Sequence, residues 1–277
     1  MSIPVPIEDF FEDIIAKSMR GHHISISELG EATGVQDDIL QRLIRGEFCD
    51  EPALLKVANV LKLDPQALTM SASQVWSPRP VSLEGLAQFN TPYRDMRVNA
   101  FLIWDPESKS GAAFDTGTDS SLLSGAASTE GISIDQIFLT HTHNDHIADL
   151  DRLKAASGEA TAYSNSLEPW SGTENFEEGA SFQIGSLSVS TYTTSGHSPG
   201  GTTYFIEGLE KPIAVVGDAL FAGSMGGGIF SFEDAWKNNR EKILTLPEST
   251  ILCPGHGPMT SVGEEKLNNP FFAGEFR

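Results

Sequence analysis

Three imidazoles and a carboxylate fall within six residues at His141-Thr142-His143-Asn144-Asp145-His146. Imidazole and carboxylate together suit zinc, iron or manganese. The apolar run Ile134-Asp135-Gln136-Ile137-Phe138-Leu139 reads as a buried strand that ends where these ligands begin. Three further candidates lie downstream: His197 in Gly196-His197-Ser198-Pro199-Gly200, Asp218 after Val215-Val216-Gly217, and His256 in Pro254-Gly255-His256-Gly257-Pro258. The chain has 7 histidines and five of them fall in these motifs, a distribution that scattered surface histidines would not give. Tight glycine turns let backbone approach a metal. A structural zinc site closes with four ligands, commonly Cys, whereas nitrogen and oxygen candidates with no nearby Cys point to open coordination positions and hydrolase-like chemistry. The other two, His22 and His23, read as solvent-exposed loop residues.

The elements that must position these groups alternate. Strands are expected at 98–104, 111–114, 134–140, 181–184, 187–193, 202–207, 213–216 and 249–253. Helices are expected at 119–130, 147–156, about 231–245 and about 261–267. Two halves of strands followed by helices imply an α/β body with sheets inside and helices outside.

Upstream the pattern is all-helical. Residues 7–20 place Ile7, Phe10, Phe11, Ile14, Ile15 and Met19 on one helical face. Ser25 or Ser27 can cap a second helix, Asp37 to Arg45 makes a third, about Glu51 to Leu61 a fourth, and Asp64-Pro65 opens a short fifth. The Ser/Pro-rich stretch 71–80 carries no periodicity, so a small all-α domain is expected over 1–76 and the catalytic domain over 77–277. The pattern Ile26-x-x-Leu29-Gly30-x-x-x-Gly34-Val35, Leu40-x-x-Leu43-x-x-Gly46 and Leu54-x-x-Val57-Ala58-x-x-Leu61 resembles the phage-repressor type of helix-turn-helix domain. In that family the helix after Gly34-Val35 enters the major groove, yet here it starts with Asp37 and Asp38. Residues 1–76 carry twelve acidic and six basic side chains, so the electrostatic footprint of a DNA binder is missing. Nucleic acid is therefore not the expected partner; dimerisation, as a homodimer, or docking on the catalytic part is.

At 277 residues and 39% hydrophobic content the chain can hold one large α/β domain and a small one. A formal charge of −20 repels nucleic acid and anionic membranes. No signal peptide is apparent in Met1 to Asp13, and no stretch approaches the roughly 18 apolar residues of a membrane span. A cytoplasmic protein is expected, with Cys49 and Cys253 as free thiols.

His141-x-His143-x-Asp145-His146, followed by His197, Asp218 and His256 in their motifs, resembles the metallo-β-lactamase superfamily over about residues 82–270. The resemblance implies the αββα four-layer sandwich and a site for two divalent metal ions, zinc first, with iron or manganese as alternatives. It implies that His141, His143 and His197 hold one metal, that Asp145, His146 and His256 hold the second, that Asp218 bridges, and that Asp145 also serves catalysis. Asp115 and Thr116 resemble the family's Asp-x-Gly corner behind the ligands, orienting them without coordinating. Neutral imidazoles leave a cation's charge undiminished, so the first metal can lower the pKa of water from 15.7 to about 7. Two cations against Asp145, Asp218 and a hydroxide leave a pocket charge of about +1, which admits an anionic substrate.

Within the superfamily, the Thr142 form of the motif, the Gly196–Gly200 loop, Gly217-Asp218-Ala219-Leu220-Phe221-Ala222-Gly223 and the tail from Gly257-Pro258 to Asn269-Pro270-Phe271 look like the glyoxalase II branch. That branch hydrolyses thioesters, so a small-molecule thiol conjugate is the implied substrate. Only seven residues follow Pro270, which leaves no room for the C-terminal helical domain that grips glutathione in full-length members. Ser224-Met225-Gly226-Gly227-Gly228 lacks the arginine common there, and reads equally as a mobile loop edging the site or as a turn. Phe89, Tyr93, Trp170 and Phe230 are expected in core packing, with pocket lining as their other role. Two alternatives stand beside the hydrolase. One is a persulfide dioxygenase-like enzyme with iron on His141, His197 and Asp218; the other is a metabolite-sensing regulator.

Overall fold

Residue types at the chain's start explain its five helices. The structure, a computed structural model, describes residues 5–48, 50–158 and 160–277, so Cys49 lies outside the described residues. The helices are α1 (Phe11–Gly21), α2 (Ile26–Thr33), α3 (Asp37–Ile44), α4 (Glu51–Val60) and α5 (Pro65–Ala72). Ser25 accepts from the Glu28 N–H while the Glu28 carboxylate accepts from the Ser25 N–H, a reciprocal cap that starts α2. Asp50 and Asp64 cap α4 and α5, each with a proline in the first turn, where a missing N–H costs nothing. The expected start at residue 7 is corrected. The Asp13 carboxylate accepts from the Phe10 N–H at 3.0 Å and fixes the start at Phe11, while Ile7 to Asp9 stays non-helical.

The first sheet contains β1 (Leu86–Tyr93), β2 (Met96–Trp104), β3 (Ser110–Phe114), β4 (Ser133–Phe138), β5 (Thr161–Asn165) and β6 (Glu174–Phe176), in that spatial order. β1, β2 and β3 are antiparallel neighbours, and β3 to β6 run parallel. Between them come α6 (Ser121–Glu130), the single-turn α7 (Asn144–Ile147) and α8 (Leu150–Ala156). The second sheet has β7 (Ser181–Ile184), β8 (Leu187–Thr193), β9 (Thr202–Glu207) and β10 (Ile213–Gly217). A hairpin of β11 (Leu220–Phe221) and β12 (Ser224–Met225) and the helix α9 (Phe232–Asn238) follow, then β13 (Ile251–Pro254), β14 (Thr260–Ser261) and α10 (Val262–Asn268). Its order is β14-β13-β10-β9-β8-β7.

The period-two alternation of strand side chains builds the layers. On β2, Phe101 and Ile103 face Ile184, Val189, Tyr204, Ile206 and Val215 of the second sheet. The intervening Ala100 and Leu102 face Leu123 and Ala127 of α6 and Leu150 and Leu153 of α8. On the second sheet, Phe205, Ala214, Val216 and Leu252 turn outward onto Ala235, Ile243 and Val262, and that cluster runs on into Ile14, Leu54 and Leu68 of the N-terminal helices. The result is the expected helix–sheet–sheet–helix sandwich. Burial of each large core side chain, such as Phe114, Phe138 or Tyr204, contributes about 1.5–3 kcal/mol.

Several expected bounds shift. The helix expected over 231–245 is α9 followed by a π-turn at Asn239–Ile243, because the Asn239 amide donates to Ala219 O at 2.8 Å and Ala235 O at 2.9 Å. The helix expected over 147–156 starts at Leu150, and the single turn α7 lies ahead of it within the ligand loop. β1 lies outside the expected strands because its Gln88, Asn90 and Pro92 face is polar and Pro92 lacks an N–H; the sheet tolerates Pro92 because β1 is an edge strand. Among the described residues no helix is long and apolar enough to cross a membrane.

Candidate metal centre

Strand ends bring the candidates together. β4 stops at Phe138, and the Tyr204 hydroxyl donates to Leu139 O at 2.6 Å, holding the exit of the His141–His146 loop. Asp218 follows β10 and His256 follows β13, the parallel neighbour of β10. A methyl group on Gly255 would stand 2.1 Å from Asp218 Oδ1, so only glycine permits this approach of the two loops.

All seven candidates converge. His141 Nε2 and His143 Nδ1 are 3.1 Å apart, and His197 Nε2 lies 3.0 Å from the same His143 nitrogen. Asp218 Oδ2 stands 3.3 Å from His197 Nε2 and 3.4 Å from His256 Nε2. Its Oδ1 is 3.4 Å from His146 Nε2. Asp145 Oδ2 completes the far side, 3.4 Å from His256 Nε2 and 3.6 Å from His146 Nε2. Three groups could each hold a metal ion: His141, His143 and His197; His141, His146 and Asp218; Asp145, His146 and His256.

The outer ring nitrogens fix the tautomers. His146 Nδ1 donates to Asp115 Oδ2 at 2.7 Å, His197 Nδ1 to Gly227 O at 3.0 Å, and His256 Nδ1 to Arg97 O at 2.6 Å. Thr140 Oγ1 donates to Asp115 Oδ2 at 2.8 Å and sits 3.0 Å from His141 Nδ1 as acceptor. In each case the Nε2 lone pair is left aimed inward. Asp115 accepts from both His146 and Thr140 while held at φ 56, a left-handed backbone uncommon outside glycine. Thr116 accepts from the Asp149 N–H at 3.2 Å and donates to His146 O at 3.0 Å, which ties α7 to the corner after β3.

Charge divides the cluster. Burial takes the pKa of His141 well below the ordinary imidazole value and lowers that of His197. Burial opposes charging of His146 and His256 too, but the Asp218 carboxylate and its neighbours outweigh it and raise them to about 10 and about 11. Burial works to raise Asp218, yet His256, His146 and His197 hold it well below the usual carboxylate range. His146 Nε2 and Asp218 Oδ1 are buried and have no hydrogen-bond partner. Inward lone pairs at 3.0–3.1 Å, two orphaned buried atoms and an all-N/O donor set fit divalent cations.

Other expectations meet a different outcome. His22 is half-buried, not exposed: its ring meets Phe232 edge-on at 5.2 Å, and burial lowers its pKa. His23 is exposed as expected. Phe89 packs in the core, but Trp170 and Phe230 are 41% and 60% exposed. Tyr93 and Trp170 line a recess of about 350 Å³ with Asn144 and Ile147 beside the ligand loop. Ser224 and Met225 form β12, and the irregular Gly226 to Gly228 that follows supplies the carbonyl holding His197.

Two supporting residues escaped the sequence reading. Glu168 accepts from Thr142 N–H and Thr142 Oγ1 at 2.8 Å each and from Gly200 N–H at 2.9 Å, clamping the His143 loop to the His197 loop. Asn99 donates to Pro254 O and Gly257 O at 2.8 Å each and carries the His256 turn. Only Asn99 left a signal, an amide inside an apolar strand.

The sequence profile of the metallo-beta-lactamase superfamily matches residues 93–256. A probable metallo-hydrolase, YqgX of Bacillus subtilis, is 31% identical over 212 residues, covering 66% of this chain and 96% of that protein. The hydroxyacylglutathione hydrolase GloC of Haemophilus influenzae is 29% identical over 204 residues, covering 65% of this chain and 95% of its own. The solved structure of BLEG-1, a B3 metallo-beta-lactamase, superposes with TM-score 0.59 at 27% identity, covering 67% of this chain and 99% of that one. Helices α1–α5 precede the residues matched to the superfamily.

Proposed function

The chain belongs to the metallo-beta-lactamase superfamily, and from that premise we propose that it is a dinuclear metal-dependent hydrolase that cleaves a thioester or ester of a small thiol conjugate. The observation that carries this reading is two donor sets of inward-facing ring nitrogens, with the Asp218 oxygens 3.3 Å from His197 Nε2 on one side and 3.4 Å from His146 Nε2 on the other. The name of the GloC relative supports a thioester of a small thiol. His141, His143 and His197 would hold one ion and Asp145, His146 and His256 the other, with Asp218 between them. When bound, divalent cations, zinc foremost, supply Lewis acidity to the carbonyl and acidify water.

The chain's own residues do the rest. Asp115, Gly227 O and Arg97 O keep three imidazoles in the ligating tautomer. Asp145, whose side chain is 13% exposed against 7% for Asp218, is the carboxylate to which this reading assigns the proton of the attacking water. Helices α1–α5 act on this catalytic part, and Asp37 and Asp38 at the start of α3 oppose a DNA-binding role.

The test is to measure thiol release from acyl thioesters alongside thiol-dependent oxygen uptake, on protein whose zinc, iron and manganese have been quantified. Thiol release that disappears in the His141→Ala, Asp218→Ala double variant supports the hydrolase. Oxygen uptake with one iron per chain and no thiol release contradicts it.

A further inference from the structure

The segment ahead of α1, which also lies outside the residues matched to the superfamily, reaches the metal centre. A methyl group placed on Gly257, the residue after His256, would stand 3.2 Å from the Glu8 nitrogen, 3.3 Å from Glu8 Cβ and 3.7 Å from Pro6 O. The segment is pinned there. Buried Asp9 forms an ion pair with Lys17 of α1, and the same ammonium donates to Met225 O at 2.9 Å, in the hairpin that follows Asp218. That ammonium also lies 4.8 Å over the Phe221 ring, which meets the His256 ring edge-on at 5.6 Å. Rupture of such a buried pair costs several kcal/mol, so the segment is built into the rim.

The two acids of the segment differ. Asp9 is neutralised by Lys17, whereas among the described residues no cation lies within ion-pair distance of Glu8. The half-buried Glu8 carboxyl is within electrostatic reach of His256 and Asp218. Burial raises the pKa of Glu8 while His256 and Lys17 lower it, so among the described residues Glu8 is the acid of this segment that faces the His256 side without an ion-pair partner.

Resting on the thiol-conjugate reading above, we propose that Glu8 sets the charge preference of the site: it favours substrates with an ammonium near the scissile bond and disfavours carboxylate-bearing carriers such as glutathione. A unit charge several ångströms away, at the effective dielectric of a protein surface, changes affinity by about tenfold for either sign of ligand charge. Salt shrinks the effect.

The experiment uses the cobalt-loaded full chain and follows thiol binding through the cobalt absorption band, with 2-aminoethanethiol and 3-mercaptopropanoate as probes. Wild type, Glu8→Gln and Glu8→Lys are compared. The difference in acidity between the two thiols cancels when the ratio of their dissociation constants is compared across variants. The ratio should shift toward the anionic thiol by about 100-fold in Glu8→Gln, about tenfold from each thiol, and further in Glu8→Lys, with melting temperature unchanged in Glu8→Gln because the Asp9–Lys17 pair is kept. An identical ratio in all three proteins overturns the proposal. Hydrolysis of the corresponding thioesters is a separate readout. Cleavage of both with a variant-independent ratio keeps the function and removes the role of Glu8, and a shifted binding ratio without any cleavage does the reverse.

Discussion

The two halves of the metal centre use the same residue type to opposite ends. In the half formed by His141, His143 and His197, burial lowers the pKa of His141 and His197 and leaves neutral nitrogens. In the half formed by Asp145, His146 and His256, surrounding carboxylates lift the two imidazoles to about 10 and about 11. On the proposed dinuclear reading, the first would be a cradle that leaves a cation's charge undiminished, and the second, which demands positive charge, would take a metal in place of protons. An activating ion and a clamping ion can thus be distinguished by their surroundings, with Asp218 the one residue common to both.

Removal of that shared residue should have the largest effect. Asp218→Ala should lower kcat/KM for thioester cleavage by about 10³-fold or more, and lower the content of both metals, as read by turnover and elemental analysis. Asp115→Asn tests the second half most directly, since Asp115 touches His146 and reaches His141 of the first half only through the Thr140 hydroxyl. It should cost about 10–100-fold in metal affinity or activity, measured by competition with a chelator. Glu168→Gln tests the first half, because Glu168 binds the loops of His143 and His197 and no residue of the second. Its cost should be nearer about tenfold, with the chelator-resistant metal fraction unchanged.

An effect on stability, not on catalysis, lies away from both halves. Burial pushes Glu265 up from 4.5 to about 7, even though Gly223 N–H, Thr260 Oγ1 and the Asn269 amide donate to it. Below 4.5 the group is protonated folded and unfolded; between 4.5 and 7 the unfolded chain loses a proton that the folded chain keeps. Its stabilising contribution is therefore fully present in acid and declines as pH rises to about 7, by at most about 1.4 kcal/mol per unit. Denaturant titrations at pH 5 and pH 7.5 should show this slope in the wild type relative to Glu265→Gln.

The seven convergent side chains were legible in the sequence because each sits in a local signature: a dense motif, a glycine turn or the end of an apolar run. Asp115 was legible for the same reason, as the first residue past a strand. β2, β8 and β9 were legible because their alternation is clean, while β1 hid behind Pro92 and its amides. Glu168 was not legible, since its partners, Thr142 and Gly200, are remote backbone and hydroxyl groups with no spacing of their own. The start of α1 was misread because Ile7 and Phe10 continue the helical spacing; only the return of Asp13 to Phe10 N–H, and the docking of Glu8 beside Gly257, reveal that the chain is already at the metal centre.

The central claim is that two half-sites each hold an ion. Metal stoichiometry by elemental analysis, in the wild type and in His256→Ala, tests it most directly. The account predicts about two ions per chain falling to about one, with the ion on His141, His143 and His197 retained. The same single ion per chain in both proteins would contradict it.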